Sequence, residues 1–216
     1  MRPHVKKYVE SGINQQERFK KACLCAIVGN IMEFDIPGHK FTLNSLATCV
    51  REAAKDLVID DLDKAYELAK KAKSVLFLAD NAGEIVFDSL LVEQLKNMGL
   101  KVTYVVKGGP VINDATMEDV EISNIDKLAD EVITTGCDAV GLQKKEASAD
   151  FLKVYEWLGT VGVSPKWCFS VHLRGCLAGV LLLNEPAAYS KLLGPDTPKM
   201  ECLVQRGASV SWAHVH

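Results

Sequence analysis

The stretch Ser74-Val-Leu-Phe-Leu-Ala-Asp-Asn-Ala-Gly-Glu-Ile-Val-Phe-Asp88 decides the fold. It starts with an apolar run, residues 75–79, that has the length and composition of a buried parallel strand. Asp80 and Asn81 follow at once, and Glu84 opens an amphipathic segment. This order predicts a strand, a tight turn and a helix, with two oxygen-bearing side chains where open α/β sheets bind their ligands. One Asx residue would suffice as a helix cap, so the adjacent pair favours a functional site.

The same alternation of strand and helix continues to residue 155. A helix is predicted over 85–98 and ends at Gly99. Further strands are predicted over 102–106 and 131–134, a short helix over 115–120 and a longer helix over 144–155. Such alternation predicts βαβ crossovers and therefore a parallel sheet with flanking helices, Rossmann-like in its three layers. The loops that follow the three strands are expected to converge on one edge of the sheet.

The pattern of apolar residues over 1–73 predicts a small all-helical region that precedes this α/β fold. Apolar residues recur at helical spacing over 15–34. A second helix is predicted from 42 or 44 to 54, and a third from 62 to about 73. The predicted organisation is therefore a helical region over 1–73, an α/β domain over 74–155 and a tail over 156–216.

The bulk composition narrows the class of protein. A chain of 216 residues with a net charge of −3 gives no reason to expect a nucleic acid or an anionic membrane as partner. No signal peptide is apparent, and the longest apolar run, 176–183, is far too short to span a membrane. Seven cysteines without a Cys-x-x-Cys pair favour reduced thiols and a cytoplasmic location.

Two motifs carry a family resemblance. The segment 80–84 after the first strand, with Gly108-Gly-Pro-Val-Ile-Asn-Asp-Ala-Thr116 after the second, resembles the DUF89 family. Those proteins are metal-dependent damage-control phosphatases, and the chain is most similar to their archaeal branch over about residues 17–155. The resemblance implies an enzyme that hydrolyses phosphoric monoesters and takes a small phosphorylated metabolite as its substrate.

Asp80, Asn81 and Asp114 are the predicted metal ligands. Their carboxylate and amide oxygens suit a hard divalent ion such as Mg or Mn, and the sequence does not separate these from Ni or Co. The family's metal ligands carry over to these three positions. The attacking group is left open between an activated water and Asp80 as a transient nucleophile. Glu84 is either a surface acid favoured by the helix dipole or a catalytic base.

Five further residues are predicted to bind the substrate or its phosphate. Lys107 and Gly108 combine a cation with backbone amides that an anion can approach closely, although Gly-Gly-Pro is also an ordinary loop. Thr135 offers a hydroxyl at the third strand end. Asn113 either supports the metal ligands or serves as a turn residue. The resemblance places Asn30, in a Gly-Asn segment, near the active site; the alternative is a helix-terminating residue.

Competing classes lack their motifs. The sequence has neither the phosphate loop of nucleotide hydrolases nor a dinucleotide fingerprint. Haloacid-dehalogenase phosphatases have Asp-x-Asp after their first strand. In this chain Asp80 is followed two residues later by Ala82, so the second carboxylate of that motif is missing. Methyl transfer is disfavoured because no glycine-rich adenosylmethionine loop follows the first strand. A non-catalytic remnant that binds a metal or metabolite remains the alternative, because the family's Lys-Gly-x-Gly-Asn substrate segment is absent from the sequence.

The tail has a different character from the rest of the chain. All three tryptophans follow residue 155, and the periodicity becomes irregular within a few residues of a clean family match. Such loss of local consistency predicts a frame-shifted or mispredicted end, poorly ordered or weakly packed, and a sheet without a further strand. Translation of the other two reading frames after the Tyr155 codon tests this prediction: an apolar strand followed by Lys-Gly-x-Gly-Asn should appear in one of them.

Overall fold

A computed structural model of the chain describes residues 2–31, 43–55, 60–139, 145–160, 167–173 and 176–184, with backbone only for 30–31, 43–46 and beyond 155. The helices are α1 Arg2–Glu10, α2 Gln15–Ile31, α3 Leu43–Lys55, α4 Leu62–Ala69, α5 Ile85–Asn97, α6 Met117–Ser123 and α7 Ala149–Thr160, with a 3-10 turn at Ile125–Lys127. The strands are β1 Ser74–Leu78, β2 Lys101–Val106, β3 Glu131–Thr134, β4 Trp167–Leu173 and β5 Cys176–Asn184.

The five strands form one sheet in the order β3-β2-β1-β5-β4. Strands β1, β2 and β3 are parallel, with Leu78 opposite Val105 and Val106 opposite Thr134. Strands β5 and β4 add to the other side of β1 in antiparallel orientation. The predicted parallel sheet with flanking helices is confirmed, and α5 and α6 lie in the crossovers that parallel pairing requires.

Helices cover both faces of the parallel strands. On one face Val75, Phe77 and Tyr104 join a large core with the buried side of α1, α2, α4 and α5. On the other face Leu76 and Val105 pack with Phe151 of α7. The alternation of side chains along each strand thus feeds two cores, which explains why these strands are apolar almost throughout.

The N-terminal region is helical in its described residues, as predicted. The helix predicted over 62–73 ends earlier, at Ala69, because Lys71 donates its backbone N–H to Leu68 three residues before it and tightens the last turn. The helix predicted from 144 instead begins at Ala149. Ser148 accepts a hydrogen bond from the Phe151 N–H at 3.2 Å and caps it. The separation of residues 1–73 from 74–155 as domains stays a prediction.

The expectation of a sheet without a further strand is wrong. The apolar run within β5 pairs with β1 from Ser74 opposite Asn184 to Leu78 opposite Val180. β4 then pairs with β5, with an irregularity between Ser170 and His172. The edge of β1 that faces away from β2 is therefore paired with β5 and is not exposed as a site for pairing with another chain. The reading-frame origin of the tail stays a prediction, and residues 185–216 lie outside the described part of the chain.

Candidate functional site

The loops that follow β1 and β2 are bound together by their backbones. Ala115 N–H donates to the Asp80 carbonyl at 2.7 Å, and Ala82 N–H donates to the Asn113 carbonyl at 2.8 Å. These bonds form an isolated antiparallel bridge between Asn81 and Asp114. Asp114, more than 30 positions after Asp80 and Asn81 in the sequence, is thus brought to the same edge of the sheet as these two predicted metal ligands.

Asp80 and Asn81 do not cap α5. The residue that precedes the helix is Glu84, and no side chain caps this end. Asp80 is buried, and Asn81 directs its amide nitrogen to Asp80 Oδ2 at 3.4 Å. If Asp80 and Asn81 bind one metal ion through oxygen, the Asn81 side-chain amide must flip, so that Oδ1 takes the place that Nδ2 occupies here. With the capping role excluded, the functional interpretation of this Asx pair is the stronger one.

Lys107 lies beneath Asp114 as a buried cation. Its Nζ is 3.4 Å from Asp114 Oδ2 and donates to the Ala139 carbonyl at 3.1 Å. Burial raises the pKa of the Asp114 carboxyl, and the nearby Lys107 ammonium opposes that rise. In this arrangement the positive charge of Lys107 balances the negative charge of Asp114, a predicted metal ligand. Its predicted contact with phosphate stays a prediction.

Gly108 and Thr135 join the second strand-end loop to the third. The Gly108 N–H donates to the Cys137 carbonyl at 2.9 Å and lies 3.2 Å from Thr135 Oγ1, which in turn donates to Cys137. A Cβ at Gly108 would lie only 2.4 Å from the Cys137 nitrogen. Close approach of two backbones therefore explains the glycine. Phosphate binding by Gly108 or Thr135 stays a prediction, and it would compete with these hydrogen bonds.

Glu84 is completely buried, so its interpretation as a surface acid is wrong. It faces α2: a Cβ at Gly29 would lie 3.2 Å from Glu84 Cβ and 2.8 Å from the Phe87 ring. The carboxyl end of α2 therefore lies beside the candidate site. Asn30 belongs to that last turn of α2, but its side chain lies outside the described part of the structure.

Asn113 is exposed, and its carbonyl accepts the Ala82 N–H, so it acts as the turn residue that one interpretation predicted. Its neighbour Ile112 has φ of 50° and is 79% exposed. A β-branched residue in the left-handed region is a genuine outlier. The turn that delivers Asp114 is thus strained next to the candidate site.

Two functional candidates escaped the sequence analysis. Asp88 and Tyr104 are fully buried, and the Tyr104 hydroxyl donates to Asp88 Oδ2 at 2.7 Å. Burial raises the pKa of Asp88 to about 8; the Tyr104 hydrogen bond opposes the rise and the Asp80 charge adds to it. A signal was present, because Asp88 lies four residues after Glu84 and therefore on the same helix face.

The donor set fits a divalent cation. Asp80 and Asp114 present two buried carboxylates. Asp114 Oδ2 is shielded from solvent and receives no hydrogen bond from the described residues, with the Lys107 ammonium at 3.4 Å as its ion-pair partner. Oxygen donors of this kind suit Mg, Mn and similar ions. Within the described residues, no group of three or more His, Cys, Asp or Glu side chains is arranged to hold a metal ion, so the candidate ligands here are two carboxylates and one amide.

Sequence comparison places the chain in a known family. The sequence model of the damage-control phosphatase ARMT1-like domain matches residues 1–159. The chain belongs to this family. The match extends the resemblance, predicted from about residue 17, to the first helices, and it ends where the tail begins. This membership confirms the DUF89 resemblance derived from the two motifs.

Individual relatives agree with the family assignment. A damage-control phosphatase of Archaeoglobus fulgidus is 37% identical over 155 residues, which is 71% of this chain and 52% of the relative. One from Pyrococcus horikoshii is 36% identical over 63% of this chain and 47% of the relative. A crystal structure of a DUF89 family protein from Pyrococcus horikoshii superimposes with a TM-score of 0.59 at 32% identity, covering 72% of this chain and 53% of that one. The chain spans about half the length of the curated relatives it matches.

None of the helices that the structure describes combines the length and the apolar character needed to cross a membrane.

Proposed function

We propose that this protein is a metal-dependent phosphatase that hydrolyses monoesters of small phosphorylated metabolites. The observation that carries the proposal is the junction of the two strand-end loops, which brings Asp80, Asn81 and Asp114 together. Two relatives named damage-control phosphatases support the reaction class. Phosphoryl transfer depends mainly on positioning and charge stabilisation, which a rigid strand-end site provides.

Each residue has a distinct task in this proposal. Asp80, Asn81 and Asp114 would hold a divalent ion, Mn, Mg, Ni or Co, which supplies positive charge for the phosphoryl oxygens. The Lys107 ammonium, 3.4 Å from Asp114 Oδ2, opposes the rise that burial causes in the pKa of Asp114. Glu84, the buried residue directly before α5, would act as the general base. The segment 108–113 is exposed or half-buried, and the substrate would approach the site over this segment.

The experiment compares Asp80→Asn with the wild type in Mn²⁺-dependent hydrolysis of a generic phosphate ester. The substitution removes one carboxylate and should abolish turnover. Asp126→Asn, the same substitution at an exposed position, is the matched control and should leave turnover unchanged. Full activity of Asp80→Asn would exclude Asp80 from the site, whatever metal is added.

A non-catalytic protein that binds a metal or a metabolite is the second candidate. The feature that favours it is that the family's Lys-Gly-x-Gly-Asn segment, implicated in substrate binding, does not occur in the sequence given. Tight Mn²⁺ binding without turnover over a panel of sugar phosphates and nucleotides would support this candidate against the first.

We also propose a reducing, cytoplasmic setting. The cysteines within the described residues, Cys23, Cys25, Cys49 and Cys137, are free thiols. Burial raises the pKa of Cys23 and of Cys25, the latter to about 12, so both thiols stay protonated and inert.

A further inference from the structure

An isoleucine occupies a turn position that suits glycine. The Asp114 N–H donates to the Val111 carbonyl at 2.9 Å and closes a four-residue turn over 111–114. Ile112, the first central residue of this turn, has φ of 50°, and Asn113, the second, has no positive φ. This is the φ pattern of a type II′ turn, whose first central position is normally taken by glycine. A β-branched residue at that position carries backbone strain that glycine would not carry.

The side chain of Ile112 does not offset this strain by packing. It is 79% exposed, so it removes little apolar surface from water when the chain folds. A single exposed apolar residue is ordinary on a protein surface, and so is a strained residue that packs well. The combination at Ile112 is unusual because both features lower the stability of the chain. Strained residues of this kind cluster at ligand sites.

The turn is fastened beside the candidate site. Its base is closed by the Lys107 N–H, which donates to the Ala115 carbonyl at 2.9 Å. Its Asn113 carbonyl accepts the Ala82 N–H, from the loop after β1, at 2.8 Å. Ile112 is therefore held two residues from the predicted metal ligand Asp114, within the exposed or half-buried segment 108–113.

We propose that Ile112 is a specificity-determining residue, whose side chain packs against the carbon skeleton of the phosphorylated metabolite beside its ester oxygen. The inference rests on the proposed function, which assigns the phosphoryl group to the site of Asp80 and Asp114. The rest of the ester then leaves that site across the segment that carries Ile112. A stiff, β-branched side chain offers apolar burial and no hydrogen bond. It therefore favours esters with a carbon-rich face next to the phosphate over esters with hydroxyl groups there.

The first test is the selectivity of Mn²⁺-dependent hydrolysis between p-nitrophenyl phosphate and glycerol 3-phosphate. Ile112→Asn should lower kcat/KM for the aryl ester about tenfold. The loss should appear mainly in KM, because the contact is made equally in the ground state and the transition state. The value for glycerol 3-phosphate should stay as in the wild type. Ile112→Val keeps a branched apolar side chain and should retain the wild-type preference.

Ile13→Asn is the matched control for this substitution. Ile13 is also an exposed isoleucine, at 88%, but it lies before the first residue of α2. The candidate site lies beside Gly29 in the last turns of α2, about 20 Å away along the helix. Ile13→Asn should therefore leave the kinetics of both esters unchanged. A loss of aryl preference in Ile13→Asn equal to that in Ile112→Asn would overturn the assignment to Ile112.

The second test measures binding without turnover. Phenylphosphonate and inorganic phosphate are titrated in a calorimeter into the chain supplied with Mn²⁺. Ile112→Asn should weaken the binding of phenylphosphonate about tenfold and leave that of phosphate unchanged. An equal loss for both ligands would make the turn part of the phosphate site and overturn the proposal, and so would unchanged binding of both. Asparagine tolerates positive φ, so this variant is expected to fold.

The two tests separate this inference from the proposed function. If the wild type hydrolyses both esters and Ile112→Asn retains the same preference, the phosphatase assignment stands and the role of Ile112 is wrong. If the wild type hydrolyses neither ester but binds phenylphosphonate more weakly in Ile112→Asn, the phosphatase assignment fails and the apolar contact stands. A wild type that neither binds nor hydrolyses these compounds would overturn both.

Discussion

The ammonium group of Lys107 lies 3.4 Å from the Asp114 carboxylate, and at most 2% of either side chain is exposed. Neither group could be ionised alone at this depth without a large desolvation cost. The pair therefore links β2 to the turn that carries a predicted metal ligand. It also means that negative charge at the site is partly balanced before any metal binds.

Lys107→Met should strongly destabilise the fold. Methionine keeps much of the side-chain volume but leaves Asp114 buried without its cation, which costs about 3–5 kcal/mol when a buried pair is broken. Urea denaturation measures the change. Lys153→Met is the matched control, because Lys153 pairs with Asp150 at the surface, where both side chains are more than 75% exposed. An equally small effect of both substitutions would show that the buried pair contributes little.

The stability of the metal-free chain should fall as the pH rises from about 5 to 8. The pKa of Asp88 is raised to about 8 in the folded chain from an ordinary value of 3.8. The folded state therefore binds one proton more than the unfolded state between these values. One such group lowers the free energy of unfolding by about 1.4 kcal/mol per pH unit over that window. The raised pKa of Asp114 acts in the same direction.

Asp88→Asn should remove the larger part of this slope, and denaturation at several pH values in the presence of a chelator measures it. Asp126→Asn, at the surface, should leave the slope as it is in the wild type. A slope that persists unchanged in Asp88→Asn would assign the pH dependence to other groups.

Gly108→Ala and Gly109→Ala should differ although they are adjacent. A Cβ at Gly108 would meet backbone atoms of Cys137 and Gly136 at 2.4 and 2.5 Å, whereas a Cβ at Gly109 would first meet the Asp138 side chain at 3.2 Å. Backbone cannot yield as a side chain can, so Gly108→Ala should cost about 3 kcal/mol or more. Gly109→Ala should cost clearly less in the same urea titration. Equal effects would mean that the two loops are not in the contact described.

Ile112→Asn should stabilise the chain. Asparagine tolerates the left-handed conformation that Ile112 adopts at φ of 50°, and relief of that strain is worth about 1 kcal/mol. The thermal midpoint is the measurement. Ile122→Asn provides the control, since Ile122 is also exposed but lies within α6; asparagine there should be slightly destabilising. A loss of stability in Ile112→Asn would show that the isoleucine side chain makes contacts that outweigh the strain.

The sequence by itself determined the three parallel strands and the edge of the sheet that carries the candidate site. The apolar runs that became β1 and β2 were recognisable because strands buried on both faces are apolar almost throughout. The polar residues directly after them, Asp80 and Asn81 above all, identified the carboxyl edge, since the topology of parallel strands places these loops together. Local spacing contains this information, and a sequence displays local spacing directly.

Only the tertiary structure decided which charged side chains are buried and which backbone N–H groups already donate hydrogen bonds within the protein. The sequence alone allows Glu84 to be a surface acid. The packing of Gly29 of α2 against it excludes that interpretation. Nothing local shows that the Gly108 N–H is bound to Cys137, or that the Tyr104 hydroxyl on β2 meets Asp88 on α5. Desolvation and pKa depend on everything packed around a group in three dimensions, and the residues concerned here come from separate elements of the chain.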